Sequence, residues 1–554
     1  MLHFKHFALL FIFVLLNAEI ICLAQGDISA STEADIDNLL HKYDGKGRPG
    51  LTVGIIKDGA LVFAKGYGMA NLEKKMPNTP DINYEIASVS KQFTAAVVAE
   101  LIQKGQLSMD DNINKYLPDF PDYGKPITIK YLLYHTSGIR DYMVLMWLTG
   151  KSFEARFTNK DALDIIYRQL NLNFTPGQRC VYSNSNYVLL SEIVSKVTGI
   201  PLSEYARKYL FEKQGMNRTY FEEEKSSSIG SVAVSYGKKE KGYFAYKSGH
   251  RVNGDGGVIS NLKDLSIWDN TFYDKASVSF SLFKNGRLDN GNLLSYGMGV
   301  MLGAYRGQLI HTHPGAFLGY RAEILRFPRK HISVIVLGNS EEINPEEISR
   351  RIADIYVFND RKSVPELMPD ATVMAQNITA IVGKYEVAPN VLVSIQSENG
   401  TLTGQVMGQP AQILYLDSAN RYKIGSTGDK AIFEKAVGGL LQQLTIIQKQ
   451  GKTLATRLEV VTPDWFKKYT GSYYNAEQKA RYRFYVNKNT LWFKVGTNAP
   501  QKAEILKKYN RLYFSYQSLE RATIDFDINA SDKAASFTLN SGRISGLKFV
   551  KTKP

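Results

Sequence analysis

The chain has 554 residues, 44% of them hydrophobic and 22% charged, with a formal net charge of +15. That balance excludes a fibrous or disordered protein, and the length is enough for about three or four domains with a large core. Of the net charge, +12 lies in residues 361–554, which hold 27 Lys/Arg against 15 Asp/Glu; the charges are scattered, and no nucleic-acid-binding motif accompanies them.

Residues 1–24 read as a signal peptide. Lys5 and His6 form a polar start, residues 7–16 are an unbroken apolar run, and Cys22-Leu23-Ala24 places small residues for cleavage after Ala24. Asn17 and Glu19 interrupt the run, which makes it a poor membrane span. The expected location is therefore exported, periplasmic or secreted, with membrane contact only through an uncleaved signal. Cleavage leaves Cys180 as the single cysteine, so no intrachain disulfide is possible. It is expected to be a small buried residue on a strand.

Residues 51–56 and 60–64 flank Asp58-Gly59 and predict a hairpin. Apolar residues at helical spacing predict helices over 93–102, ending near Gly105, and over 187–197, ending at Gly199. Residues 334–337 form a buried-strand run, and 345–358 a terminal helix. Residues 361–376 hold two prolines and no periodicity, and read as a linker. Beyond it the pattern is all-β and repeats weakly. Gly383-Lys384-Tyr385 matches Gly471-Ser472-Tyr473, Thr401-Leu402 matches Thr490-Leu491, and Asn420-Arg421 matches Asn510-Arg511. Two β units, 377–460 and 461–554, each suited to a small barrel or sandwich, follow a domain over 25–360.

Three segments carry chemistry. In Ser88-Val89-Ser90-Lys91, just before a helix, residues three apart share a face, so Lys91 can meet Ser88 and activate it as a nucleophile. Such a lysine works as a base when burial or other positive charge lowers its pKa. Alone the pattern equally describes a capped helix with a surface lysine. Tyr182-Ser183-Asn184 sets a phenol beside a carboxamide: one can shuttle a proton, the other can hold a substrate carbonyl. His313-Pro314-Gly315-Ala316 enters a strand, where glycine permits close backbone approach. The amides of Ser88 and Ala316 are the expected oxyanion donors. His311 and His313 lack a third ligand at metal-binding spacing, so neither a metal nor a cofactor is expected.

The order Ser-x-x-Lys, Tyr-x-Asn, His-x-Gly resembles the class C β-lactamase and penicillin-binding-protein superfamily over about residues 33–360. Leu132-Leu133-Tyr134-His135-Thr136-Ser137-Gly138-Ile139, Gly256-Gly257-Val258-Ile259-Ser260 and Tyr296-Gly297-Met298-Gly299 agree with it. The resemblance implies an α+β fold: an antiparallel sheet flanked by helices beside a helical subdomain, with the site between them. It implies Ser88 as the acylated nucleophile, Lys91 and Tyr182 as the acid/base pair, and Asn184, His313 and Gly315 as substrate contacts. Typical class C β-lactamases carry a permanently charged lysine where His313 stands; the histidine is similar to that of the esterase and D-aminopeptidase branch. Some D-aminopeptidases also carry two C-terminal β-barrels.

The expected activity is therefore hydrolysis of esters, D-amino-acid amides or small peptides, and the partner a small-molecule or peptide substrate. Two alternatives stand beside it: a β-lactamase or D-Ala-D-Ala carboxypeptidase, and a protein that binds cell-wall components and keeps weak hydrolase activity.

Overall fold

The computed structural model describes residues 28–222, 230–360, 378–388, 391–398, 401–406, 412–418, 420–424, 429–437, 440–448, 451–496, 498–516 and 520–552. The signal peptide and the linker expected over 1–24 and 361–376 lie outside the described residues.

The elements that build the N-terminal region are α1 (Ala30–Leu40), β1 (Leu51–Lys57), β2 (Ala60–Tyr67), α2 (Lys91–Gln103), α3 (Tyr142–Leu148), α4 (Asn184–Thr198), α5 (Leu262–Thr271), β3 (Met301–Tyr305), β4 (Gln308–Phe317), β5 (Tyr320–Phe327), β6 (Ile332–Gly338) and α6 (Pro345–Tyr356). The strands form one six-stranded sheet in the order β3-β4-β5-β6-β1-β2, antiparallel throughout. The hairpin β1–β2 closes on Asp58 and Gly59, at φ 47° and 85°, the left-handed pair that a two-residue turn requires.

Both faces of the sheet are covered, which explains why β6 is buried along its whole length instead of at alternate residues. Val334 and Val336 meet Ile36, Leu40, Ile348 and Ile352 of α1 and α6, while Ile335 and Leu337 join the larger core that contains Leu262 and Leu265 of α5. On that second side lie α2, α3 and α4. Gly199, at φ 77°, ends α4 as the pattern predicts.

The C-terminal region is all-β, and the weak repeat is structural. Eight strands between Gly383–Ala388 and Gly451–Arg457 close into a barrel. The second unit runs from Gly471–Asn475 to Leu547–Thr552, which pair with each other, in a nine-membered sheet that opens between Gln501–Lys502 and Ile505–Leu506. Two of the three matched pairs share a role. Tyr385 and Tyr473 donate to the carbonyls of Ile381 and Tyr469, four residues back in each case. Asn420 and Asn510 both adopt positive φ (57° and 50°) before a strand. Their carbonyls accept from the amides of Phe433 and Phe526.

One expectation is corrected. Cys180 is exposed and lies in the irregular segment before α4, not buried on a strand, with Sγ 3.4 Å from the Tyr134 carbonyl.

Candidate active site

Ser88 sits in a single tight helical turn, Ala87–Ser90, that leads directly into α2. Ala87 before it is held at φ 49°, an uncommon conformation for a residue with a side chain and one that concentrates at functional sites. Lys91, the first residue of α2, is fully buried. Its ammonium donates to Ser88 Oγ at 3.2 Å, Asn184 Oδ1 at 2.8 Å and the Asp255 carbonyl at 2.6 Å. Three donors thus meet three acceptors, and the contact to the nucleophile is the longest. Ser90 has a structural role: its hydroxyl accepts from the Val258 amide.

Asn184, the first residue of α4, is committed at both ends. Its Nδ2 and its backbone amide both donate to Asp141 Oδ2, at 2.9 and 2.8 Å, which turns its oxygen toward Lys91. Asp141 Oδ1 meanwhile caps α3, accepting from the amides of Met143 and Val144. Asn184 therefore acts here as a positioner of Lys91. Asp141 was not singled out by sequence; its only local signal is that of a helix cap before an apolar run.

The third motif lies on β4. A Cβ on Gly315 would stand 2.3 Å from the Ile86 carbonyl, so the glycine lets the strand press against the turn that carries Ser88. The close approach is made by the protein's own backbone. Phe317 and Tyr320 close a two-residue hairpin on β5, and by the alternation of antiparallel pairs the amide of Ala316 points away from β5, toward the open edge.

His313 has a fixed tautomer. Its Nδ1 lies 2.8 Å from the Pro314 carbonyl, which can only accept, so Nδ1 carries the proton and Nε2 accepts from the Tyr296 hydroxyl at 3.2 Å. The Tyr296 oxygen in turn accepts from His135 Nε2 at 3.2 Å, because His135 Nδ1 already accepts from the Ser183 amide. Burial and the Lys91 charge hold His313 at a pKa of about 3, and the same causes hold His135 well below the ordinary imidazole range. His313 is thus neutral, with both ring nitrogens engaged. Gly299 holds the Tyr296 turn against α2: a Cβ there would meet the Lys91 backbone at 2.7 Å, and its φ is 72°. His135 and Tyr296 belong to segments that sequence singled out without assigning them a role. His311 is separate, packed on Phe283 and held at about 4 by burial.

Tyr182 completes the group, its ring centroid 4.9 Å from Lys91 Nζ and 4.4 Å from the His135 ring. Ser88, Tyr182, Asn184, His313, Gly315 and Ala316 all line one cleft of about 660 Å³, a size that suits a small molecule or a short peptide segment. The second β unit also reaches this cleft, through Arg543.

Residues 36–357 match the Beta-lactamase family. The chain is 30% identical over 410 residues to penicillin-binding protein 4* of Bacillus subtilis (strain 168), a match that covers 69% of this chain and 88% of that one. It is 28% identical over 363 residues to a D-aminopeptidase of Gluconobacter oxydans (strain 621H), covering 64% of this chain and 66% of the relative, so it spans just under two thirds of that protein. Two solved structures share the fold. The octameric penicillin-binding protein homologue from Pyrococcus abyssi superposes at a TM-score of 0.54 with 24% identity, covering 76% of this chain and 99% of that one. The D-amino acid amidase from Ochrobactrum anthropi SV3 does so at 0.51 with 22% identity, covering 60% and 100%.

Proposed function

The chain belongs to the Beta-lactamase family, and on that premise we propose that it is an exported serine hydrolase that cleaves amide or ester bonds of D-amino-acid derivatives and small peptides through an acyl-enzyme on Ser88. The observation that carries the reading is the buried Lys91 Nζ 3.2 Å from Ser88 Oγ, directly behind a cleft that Ser88 and Tyr182 line. In the reacting form Lys91 is the free amine: Ser88 Oγ attacks the substrate carbonyl as its proton passes to the Lys91 nitrogen, directly or through the Tyr182 hydroxyl. The negative charge that develops on the carbonyl oxygen is met by the amides of Ser88 and Ala316. Tyr182 returns the proton to the leaving group, and water then releases the acyl group by the reverse path.

The neutral His313 sets this site apart from typical class C β-lactamases, which place a permanently charged lysine at that position. Export is supported by the polar start, apolar run and small residues before position 25; N-terminal sequencing of the secreted protein is expected to begin at Gln25.

The test is hydrolysis of D- and L-phenylalanine p-nitroanilides by the wild type and by Ser88→Ala and Lys91→Ala. Turnover of the D form that disappears in both variants is expected. Turnover that survives loss of Ser88 would remove the reading.

A further inference from the structure

The cleft holds a positive charge that none of the three motifs supplies. Arg543 sits between Ser541 and Ser545, in the connection from Ala534–Ser541 to Leu547–Thr552 of the second β unit. Its guanidinium lies 5.0 Å from the Tyr182 ring centroid, lines the same cleft as Ser88, and is 30% exposed.

The backbone around it is fixed from the helical side. Asn173 Nδ2 donates to the Arg543 carbonyl at 2.8 Å, Asn173 Oδ1 accepts from the Ser545 amide at 2.9 Å, and Arg140 Nη2 donates to the Ser545 carbonyl at 3.0 Å. The charge is thus placed before substrate arrives, which spares the cost of ordering a loop on binding. Arg543 also meets Asp141, at 3.5 Å. That carboxylate already accepts four N–H groups, from Met143, Val144 and twice from Asn184, so a substrate anion can share the guanidinium without stranding it.

We propose that Arg543 is the carboxylate anchor of the active site, selecting short peptides and their ester analogues that bear a free carboxylate on the leaving group. The inference rests on the hydrolase reading above. The side is set by Tyr182: the guanidinium packs on the ring of the residue that hands the proton to the leaving group. The charge assignment follows from His313. Where a family lysine would offer charge, this chain has a ring whose two nitrogens are spent on Pro314 and Tyr296, and the cation comes instead from a β unit 230 positions later in the sequence.

The test uses 3-carboxyphenyl and 3-carbamoylphenyl esters of one D-amino acid, which differ in charge and little in size. The wild type is expected to favour the carboxylate ester in kcat/KM by about tenfold, in keeping with a charge-assisted hydrogen bond at a partly exposed site. Arg543→Gln is expected to bring the ratio near one, and Arg543→Lys to keep part of it, as a point charge without the planar fork. A wild-type ratio near one, a ratio that persists in Arg543→Gln, or equal loss of both esters in that variant would each overturn the assignment while Ser88-dependent turnover stands. Turnover of neither ester, or turnover that survives Ser88→Ala, would bring down the hydrolase reading and the anchor with it.

Discussion

The two β units run the same course and touch different things. Each opens with a tyrosine bonded four residues back, and each turns through a left-handed asparagine at the same place. The first unit meets the second through Lys508–Glu386 and Lys384–Glu504 and a small cluster of Leu392, Leu458 and Leu506. The second is built into the catalytic region. Arg140 forms a nearly buried pair with Glu477 at 2.9 Å, and Phe484, Phe526 and Phe549 belong to the same core as the site helices. The last two strands differ in spacing as well: the first unit pairs Gln448 with Gly451, whereas residues 542–546 separate Ser541 from Leu547 in the second. One scaffold thus occurs twice, and the copy with the longer connection adds a charge to the cleft.

The largest effect expected from this difference is at Arg140. Arg140→Ala leaves Glu477 nearly buried without its cation and should cost about 3 kcal/mol or more in urea unfolding. A loss below about 1 kcal/mol would mean that the second unit is docked no more firmly than the first.

Next is acid. All eight histidines lie at or before His331, so neither β unit contains one. Below pH 6.5 the unfolded chain protonates His313, whereas the folded chain excludes that proton down to about 3. Stability from this residue is therefore full above 6.5 and falls with pH, by up to about 1.4 kcal/mol per unit. The stability gap between wild type and His313→Asn should narrow between pH 7 and 5; a constant gap would show that the ring is not held neutral.

Replacing residues 542–546 with a two-residue turn should cut kcat/KM for a carboxylate-bearing ester about tenfold while leaving Ser88-dependent turnover of a neutral one. Equal losses for both esters would show that the connection shapes the cleft without reading charge. The smallest effect is expected at Lys508→Ala, whose side chain is 58% exposed in its pair with Glu386; thermal unfolding should register less than about 1 kcal/mol.

Local features were legible in sequence. Asp58-Gly59 and Gly199 announce left-handed turns, and Ser88 and Lys91 meet because three residues span one helical turn. The repeat was visible for the same reason: Tyr385, Tyr473, Asn420 and Asn510 each serve a partner within a few residues or an adjacent strand. Asp141, His135 and Tyr296 were not assigned because their roles depend on partners up to 161 positions away. Arg543 was further hidden: Gly542 and Gly546 mark only a turn, and its approach to Asp141 spans 402 positions. Cys180 was misplaced because a small residue in an irregular segment carries no periodicity to betray its exposure.

The central claim is that acylation occurs at Ser88, with Lys91 beside it and both β units in place. A fluorophosphonate probe applied to the full chain, followed by intact-mass measurement and peptide mapping, tests it directly. One adduct per chain on Ser88, absent from Ser88→Ala, is the predicted result. An adduct on Ser90 or another residue, or labelling that persists in Ser88→Ala, would contradict it.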